Sequence, residues 1–166
     1  MNIYLIGYMG SGKTTLGKKL ANALGYAFVD MDGTIEEREG MSVSQIFADK
    51  GESYFREQEQ ALLQEIAKAE NQVVSTGGGT PCFFDNINLM NRSGATVYLK
   101  APAQALMQRI TCSPMKRPLL QNQTCSQMLE TIYDQLDERK PYYEQAQYTI
   151  NALNCMPNDI IKLIEK

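Results

Sequence analysis

The sequence predicts an α/β protein in which helices cover both faces of a parallel sheet. Three observations carry that prediction. Short apolar runs of strand length alternate with helical periodicities along the whole chain, the order that a parallel sheet with crossover helices requires. The first run, Ile3 to Ile6, leads into GYMGSGKTT, Gly7 to Thr15, which matches G-x-x-x-x-G-K-[ST] through Gly7, Gly12, Lys13 and Thr14. The second ends in Asp30-Met31-Asp32-Gly33, where a parallel strand delivers side chains to the crevice at the sheet's carboxyl edge.

Taken in order, Lys13 to Leu24 reads as a helix with Leu16, Leu20, Ala23 and Leu24 on one stripe and Gly25 as its stop. Tyr26 to Asp30 is a short buried strand. Ser42-Val43-Ser44-Gln45 fits a capping box that opens a helix ending near Gly51. Glu52 to Ala69 is helical, with Phe55, Leu62, Leu63 and Ile66 inward and Arg56 in its first turns. Gln72 to Ser75 is a third strand, running into Thr76-Gly77-Gly78-Gly79-Thr80-Pro81. Asp85 to Arg92 is a short helix, Ala95 to Leu99 a fourth strand, and Pro102 starts a helix to about Ile110. From Thr111 to Gln123 periodicity is lost among polar residues and prolines, the pattern of a mobile lid. Thr124 to Lys140 is a long helix with a stripe at Leu129, Ile132 and Leu136. Arg139 continues that stripe at i+3, which aims its guanidinium at the interior or a cleft. Tyr148 to Ile150 is the last strand, and Asn158 caps a closing helix.

A chain of 166 residues is one domain, 1–166, large enough for a sizeable core. No apolar run approaches the ~20 residues of a membrane span, and no basic leader with a cleavage site precedes the first strand, so no membrane is expected and the expected location is cytoplasmic. A net charge of -3 without a polybasic tail argues against nucleic acid as a partner. The four cysteines form no C-x-x-C pair and histidine is absent, so a zinc site lacks ligands and histidine-based nucleophilic schemes are excluded. Reduced, mostly packed thiols are expected, and a carboxylate is the expected general base. No surface stripe calls for a partner, so a monomer is expected.

The chemistry centres on the opening loop. Successive backbone N–H groups of Gly10, Ser11, Gly12, Lys13, Thr14 and Thr15, at the positive end of the following helix, form a nest for a phosphate. Lys13 reaches the outer phosphates and the Thr14 hydroxyl suits Mg2+. A kinase, an ATPase and a GTPase all use such a loop, although no Asn-Lys-x-Asp stretch for reading guanine is present. Of Asp30 and Asp32, one carboxylate on a magnesium water and the other on an acceptor hydroxyl would divide the labour of phosphoryl transfer. Gly77, Gly78 and Gly79 permit backbone to press close to a small ligand. Arg56 and Arg139 would frame an acceptor bearing a carboxylate, with Arg117 as an arginine finger. The plain alternatives are a turn, a loop and surface arginines.

With these segments assembled, the chain resembles the shikimate kinases over essentially its whole length. The match rests on GYMGSGKTT, Asp30-Met31-Asp32, Tyr54 to Glu59, Ser75 to Gly79, Arg117-Pro118-Leu119-Leu120 and Arg139 to Tyr143. The resemblance implies a P-loop, nucleoside-monophosphate-kinase-like, three-layer α/β/α fold with a five-stranded parallel sheet, an acceptor-binding helical region at about 32–60 and a lid at about 111–123. It implies transfer of the γ-phosphoryl group of ATP, with Mg2+, to the 3-hydroxyl of shikimate. Carried over, Asp32 binds the acceptor hydroxyls and serves as base or orienter, while Arg56, Arg139 and Gly78 hold the acceptor. Asp30 assists the metal through water, Thr14 ligates it, Lys13 and Arg117 attend the phosphates, and Arg109 lines the adenine. The chain departs from the family at Asn151, where Asp is frequent, and at Cys155, where a basic residue precedes the proline by two. Another small-molecule kinase, for gluconate or a nucleoside monophosphate, is the nearest alternative, and a regulatory nucleotide-binding module is the alternative without acceptor chemistry.

Overall fold

In a computed structural model the structure describes residues 1–112 and 123–166. Five parallel strands, β1 (Asn2–Ile6), β2 (Ala27–Asp30), β3 (Gln72–Ser75), β4 (Gly94–Lys100) and β5 (Tyr148–Asn151), stand in the order β2-β3-β1-β4-β5. The all-apolar middle of β1 has its cause in that order: the strand is central, and all five of its residues are buried. The chain leaves β1 for β2 on one side and later passes from β3 across β1 to β4 on the other, so a crevice opens at the carboxyl end of β1. Register levels the strand ends there: Leu5 pairs with Ser75, and Ser75 pairs with Asp30.

The helices are α1 (Lys13–Leu24), α2 (Met31–Glu39), α3 (Val43–Lys50), α4 (Glu52–Ile66), α5 (Asn86–Ser93), α6 (Ala103–Thr111), α7 (Cys125–Tyr143) and α8 (Pro157–Ile164). A 3-10 turn spans Thr80–Cys82. The inward stripe of α1 is Leu16, Gly17, Leu20 and Ala21, with Ala23 outside it. The capping box of α3 forms as expected, with Ser42 and Gln45 bonded reciprocally. Among the described residues no helix is long and apolar enough to cross a membrane.

Five further expectations change. Strand β2 is not buried: it stands at the edge of the sheet, with Ala27 exposed and Phe28, Val29 and Asp30 half-buried. The two carboxylates are not both on a strand end: Asp30 closes β2 and accepts from the Gly33 N–H as the N-cap of α2, and Asp32 sits in the first turn of that helix. Helix α7 runs through Pro141 to Tyr143, because a proline in the last turn removes one hydrogen bond while the fully buried Tyr143 anchors the end. The closing helix starts at Pro157 with Met156 as its cap residue, two positions before Asn158. The thiols are free but not mostly packed: Cys112 and Cys125 are exposed, and Cys82 and Cys155 are half-buried. Most of the expected lid, with Arg117, lies outside the described residues.

Candidate active site

At the mouth of β1 the chain turns through the glycine-rich loop into α1. Gly12, the cap residue, takes φ 96°, a left-handed conformation that only glycine adopts without strain. Lys13 lies back along the loop, 8% exposed, donating from Nζ to the carbonyls of Gly7 at 2.7 Å and Tyr8 at 3.0 Å. Arg109 of α6 braces the loop from the other side, with Nη1 donating to Gly10 O at 3.3 Å and Ser11 O at 3.2 Å. The Thr14 hydroxyl donates to Asp30 Oδ2 at 3.0 Å and stands 3.3 Å from Ser75 Oγ. A cavity of about 650 Å³ covers this floor, lined from Gly10 through Leu16, by Asp30, Asp32 and Gly78, and by Leu153, Cys155 and Met156 opposite.

Thr14, Ser75 and Asp30 offer oxygen atoms only, the donor set that a hard divalent cation prefers. Among the described residues no three His, Cys, Asp or Glu side chains gather around a metal. Mg2+ requires no such cage, since it keeps waters and phosphate oxygens and takes only one or two protein ligands. The residues present therefore fit it.

Beyond the cavity wall lies a cluster of buried charge. Glu59, inaccessible on the inner stripe of α4, accepts from Arg56 Nη1 at 2.7 Å and from the Thr80 hydroxyl at 2.6 Å. Arg56 also donates to Glu52 Oε1, from Nε at 3.3 Å and Nη2 at 3.2 Å, and rests its guanidinium 4.3 Å from the Phe83 ring centroid. Arg139 of α7 is treated differently: among the described residues its buried Nη1 has no hydrogen-bond partner, its guanidinium interacts with the Tyr143 hydroxyl rather than with a carboxylate, and it lies over the Tyr8 ring at 5.3 Å. Asp32 Oδ1 is likewise buried without a hydrogen-bond partner among the described residues.

The three glycines explain how these groups come so close. A Cβ on Gly77 would strike Glu59 Oε1 and stand 3.0 Å from Asp32 Oδ1; on Gly78 it would stand 3.1 Å from Arg139 Nη1; on Gly79 it would lie 2.6 Å from both terminal nitrogens of Arg56. Each glycine thus admits a different charged side chain.

Charge sets the protonation of the cluster. Burial, with Glu59 and Asp30 nearby, pushes the Asp32 carboxyl from the usual 3.8 up to about 7, against the pull of Lys13. Burial also raises the Glu59 carboxyl, opposed by Arg56 and the Thr80 hydroxyl. A carboxyl balanced near neutrality is suited to take a proton from a hydroxyl. An arginine fork that no carboxylate among the described residues occupies is suited to an incoming carboxylate.

Gly10, Ser11, Gly12, Lys13, Thr14, Thr15, Arg109, Asp30, Asp32 and Gly78 therefore share one cavity. Arg56, Gly77, Gly79 and Arg139 stand behind it in the charged cluster, joined to it through Asp32 and Gly78. Arg117 lies outside the described residues. Glu59, Ser75, Tyr8 and Tyr143 are further members that had no assigned role in the sequence. Glu59 carries a signal, since it interrupts the apolar stripe Phe55, Leu62, Leu63, Ile66 and follows Arg56 by three. Tyr143 carries none: its hydroxyl donates to Gly78 O at 2.6 Å, a contact across 65 residues.

Comparison with known proteins places this geometry. The family model described as shikimate kinase matches residues 9–165. A shikimate kinase of Bacteroides thetaiotaomicron is 46% identical over 152 residues, covering 92% of this chain and 87% of that protein. A solved shikimate kinase structure from the same organism superposes with a TM-score of 0.95 at 42% identity, covering 100% of this chain and 99% of its own. The Acinetobacter baumannii shikimate kinase in complex with shikimate gives a TM-score of 0.88 at 38% identity, covering 99% and 90% of the two chains. A gluconokinase from Sinorhizobium meliloti, at 17% identity and a TM-score of 0.58 over 99% of this chain and 89% of its own, shares the fold alone.

Proposed function

The chain belongs to the shikimate kinase family, and from that premise we propose that it transfers the γ-phosphoryl group of ATP to the 3-hydroxyl of shikimate, giving shikimate 3-phosphate on the way to chorismate and the aromatic amino acids. The observation that carries this reading is the position of Asp32. Its carboxyl, balanced near neutrality and with Oδ1 unpartnered among the described residues, borders both the phosphate-loop cavity and the glycine run against which Arg139 lies.

In this reading Asp32 accepts the proton of the acceptor hydroxyl as its oxygen bonds to phosphorus and the bond to the leaving ADP oxygen breaks. Arg139 takes the acceptor carboxylate, and Arg56, held by Glu59, supports the same end of the acceptor. Gly77, Gly78 and Gly79 let the acceptor and these side chains approach the backbone closely. The N–H groups of Gly10 to Thr15 and the Lys13 ammonium face the phosphates, where negative charge builds on the leaving oxygen. Mg2+ would be held by Thr14 directly and by Asp30 through water, and when bound it offsets charge on the β- and γ-phosphates. Arg109 braces the loop near the base of the nucleotide, with Cys155 and Met156 across the cavity. One domain, 1–166, with its acceptor region at 32–60, serves both substrates. Four free thiols fit a reducing compartment, and a cytoplasmic monomer without nucleic-acid or membrane partners completes the reading.

A coupled ADP-release assay with Mg2+ and ATP tests it. Turnover is expected with shikimate and not without it or with gluconate. ADP release that is indifferent to shikimate, or faster with gluconate, overturns the assignment. Arg139→Lys is expected to raise the KM for shikimate about tenfold, because a point charge cannot replace a bidentate fork.

A further inference from the structure

We propose that Tyr8, an unspecified position of the G-x-x-x-x-G-K-[ST] motif, is a positioning residue for the acceptor: its ring holds the Arg139 guanidinium and ties the donor's loop to the arginine that reads the acceptor carboxylate. The proposal rests on the reading of Arg139 given above and extends it to a residue of the opposite substrate's loop.

The loop presents its backbone to the cavity, yet the Tyr8 side chain turns away and is 1% exposed. It reaches α7, where its ring lies 5.3 Å from Arg139 and its hydroxyl donates to Gln135 Oε1 at 2.5 Å. Gln135 and Tyr143 flank Arg139 by four residues on either side, one helical turn each. Tyr143 ties the far turn to the glycine run through Gly78 O, and Tyr8 ties the near turn to the loop. The Tyr8 carbonyl meanwhile accepts from Lys13 at 3.0 Å, so one residue touches both substrate sides. Burial pushes the Tyr8 phenol up to about 12, which keeps it a neutral donor.

The contrast with Arg56 gives the physical reason. Arg56 is oriented by Glu52 and Glu59, which also neutralise it. A carboxylate under Arg139 would compete with the acceptor's own carboxylate. An aromatic face orients a guanidinium without occupying its fork, leaving charge and N–H groups for the ligand.

The test is steady-state kinetics of the wild type, Tyr8→Leu, Tyr8→Phe, Gln135→Ala and Arg139→Lys, with shikimate and with its methyl ester, which lacks the carboxylate. Tyr8→Leu is expected to raise the KM for shikimate about tenfold while the ester KM moves by less than about twofold. Tyr8→Phe keeps the ring and is expected to return the shikimate KM to within about threefold of wild type. An equal rise for acid and ester marks general loosening and overturns the proposal, as does an unchanged shikimate KM. Melting curves and ADP calorimetry establish that each variant is folded. If Tyr8→Leu does not fold, Gln135→Ala, a change near the protein surface, carries the test: it is expected to reduce the acid-over-ester preference about threefold, and an unchanged preference overturns the proposal. Arg139→Lys separates the two levels. If it raises the shikimate KM and the Tyr8 and Gln135 variants do not, only the role of Tyr8 falls; if it has no effect, the carboxylate reading of Arg139 falls and the proposal with it.

Discussion

On the proposed reading the donor's phosphates meet one contiguous loop, Gly7 to Thr15, whereas the acceptor is met by Asp32 from α2, Arg56 and Glu59 from α4, Gly77 to Gly79 from the loop after β3 and Arg139 from α7. The donor side works through backbone N–H groups at a helix start, which any sequence meeting the motif supplies once strand and helix form. The acceptor side works through buried side-chain charges whose desolvation is offset only when every partner arrives. Lesions should therefore separate: acceptor-side changes alter acceptor binding and stability together, while nucleotide binding persists.

The largest expected effect is at Asp32. Asp32→Asn should lower kcat by about a hundredfold to ten-thousandfold, with ADP affinity by calorimetry little changed; near-normal turnover would break the comparison at its centre. In the wild type, kcat/KM should fall about tenfold per pH unit as pH drops below about 7, where the Asp32 carboxyl takes its proton. Stability carries the opposite sign. Above pH 3.8 the unfolded chain releases a proton that the folded carboxyl keeps to about pH 7, so this group's contribution declines as pH rises between those values. Thermal melts should show that slope, and Asp32→Asn should flatten it.

Glu59→Gln leaves Arg56 buried without its closest counter-ion and should destabilise the fold by roughly 3 kcal/mol in urea titrations while raising the acceptor KM. Gly79→Ala drives a methyl against Arg56 at a backbone conformation alanine tolerates, φ -92°, so the cost is steric. An acceptor KM raised about tenfold with unchanged ADP binding is expected; a parallel loss of ADP affinity would show the two sides to be one unit. The smallest effect is expected at Arg38→Ala, which removes a solvent-screened pair with Glu65 and should leave the melting temperature and the kinetics nearly unchanged.

The strands, the loop, the capping box at Ser42 and the inward aim of Arg139 were legible because each rests on contiguous periodicity or on a local motif. Helix α2 was not, since MDGTIEERE buries only Met31 and Ile35 and shows almost no apolar stripe; its start is set by the Asp30 cap and its packing on α3 and α4. Passage of α7 through Pro141 was hidden for a similar reason, because the contact that holds its end is with Gly78.

Order and spacing along the chain suffice for the α/β class, the phosphate loop and the residue types of the acceptor side, since backbone chemistry and periodicity are local. Tertiary structure alone decides which charge meets which: that Gly77 faces Glu59 and Asp32, that Gly79 faces Arg56, and that Arg139 stands above Tyr8 with no counter-ion among the described residues. Those pairings span from 18 to 131 positions of sequence (77 - 59 and 139 - 8). Their energies depend on burial, and burial exists only once the sheet has brought its strand ends level.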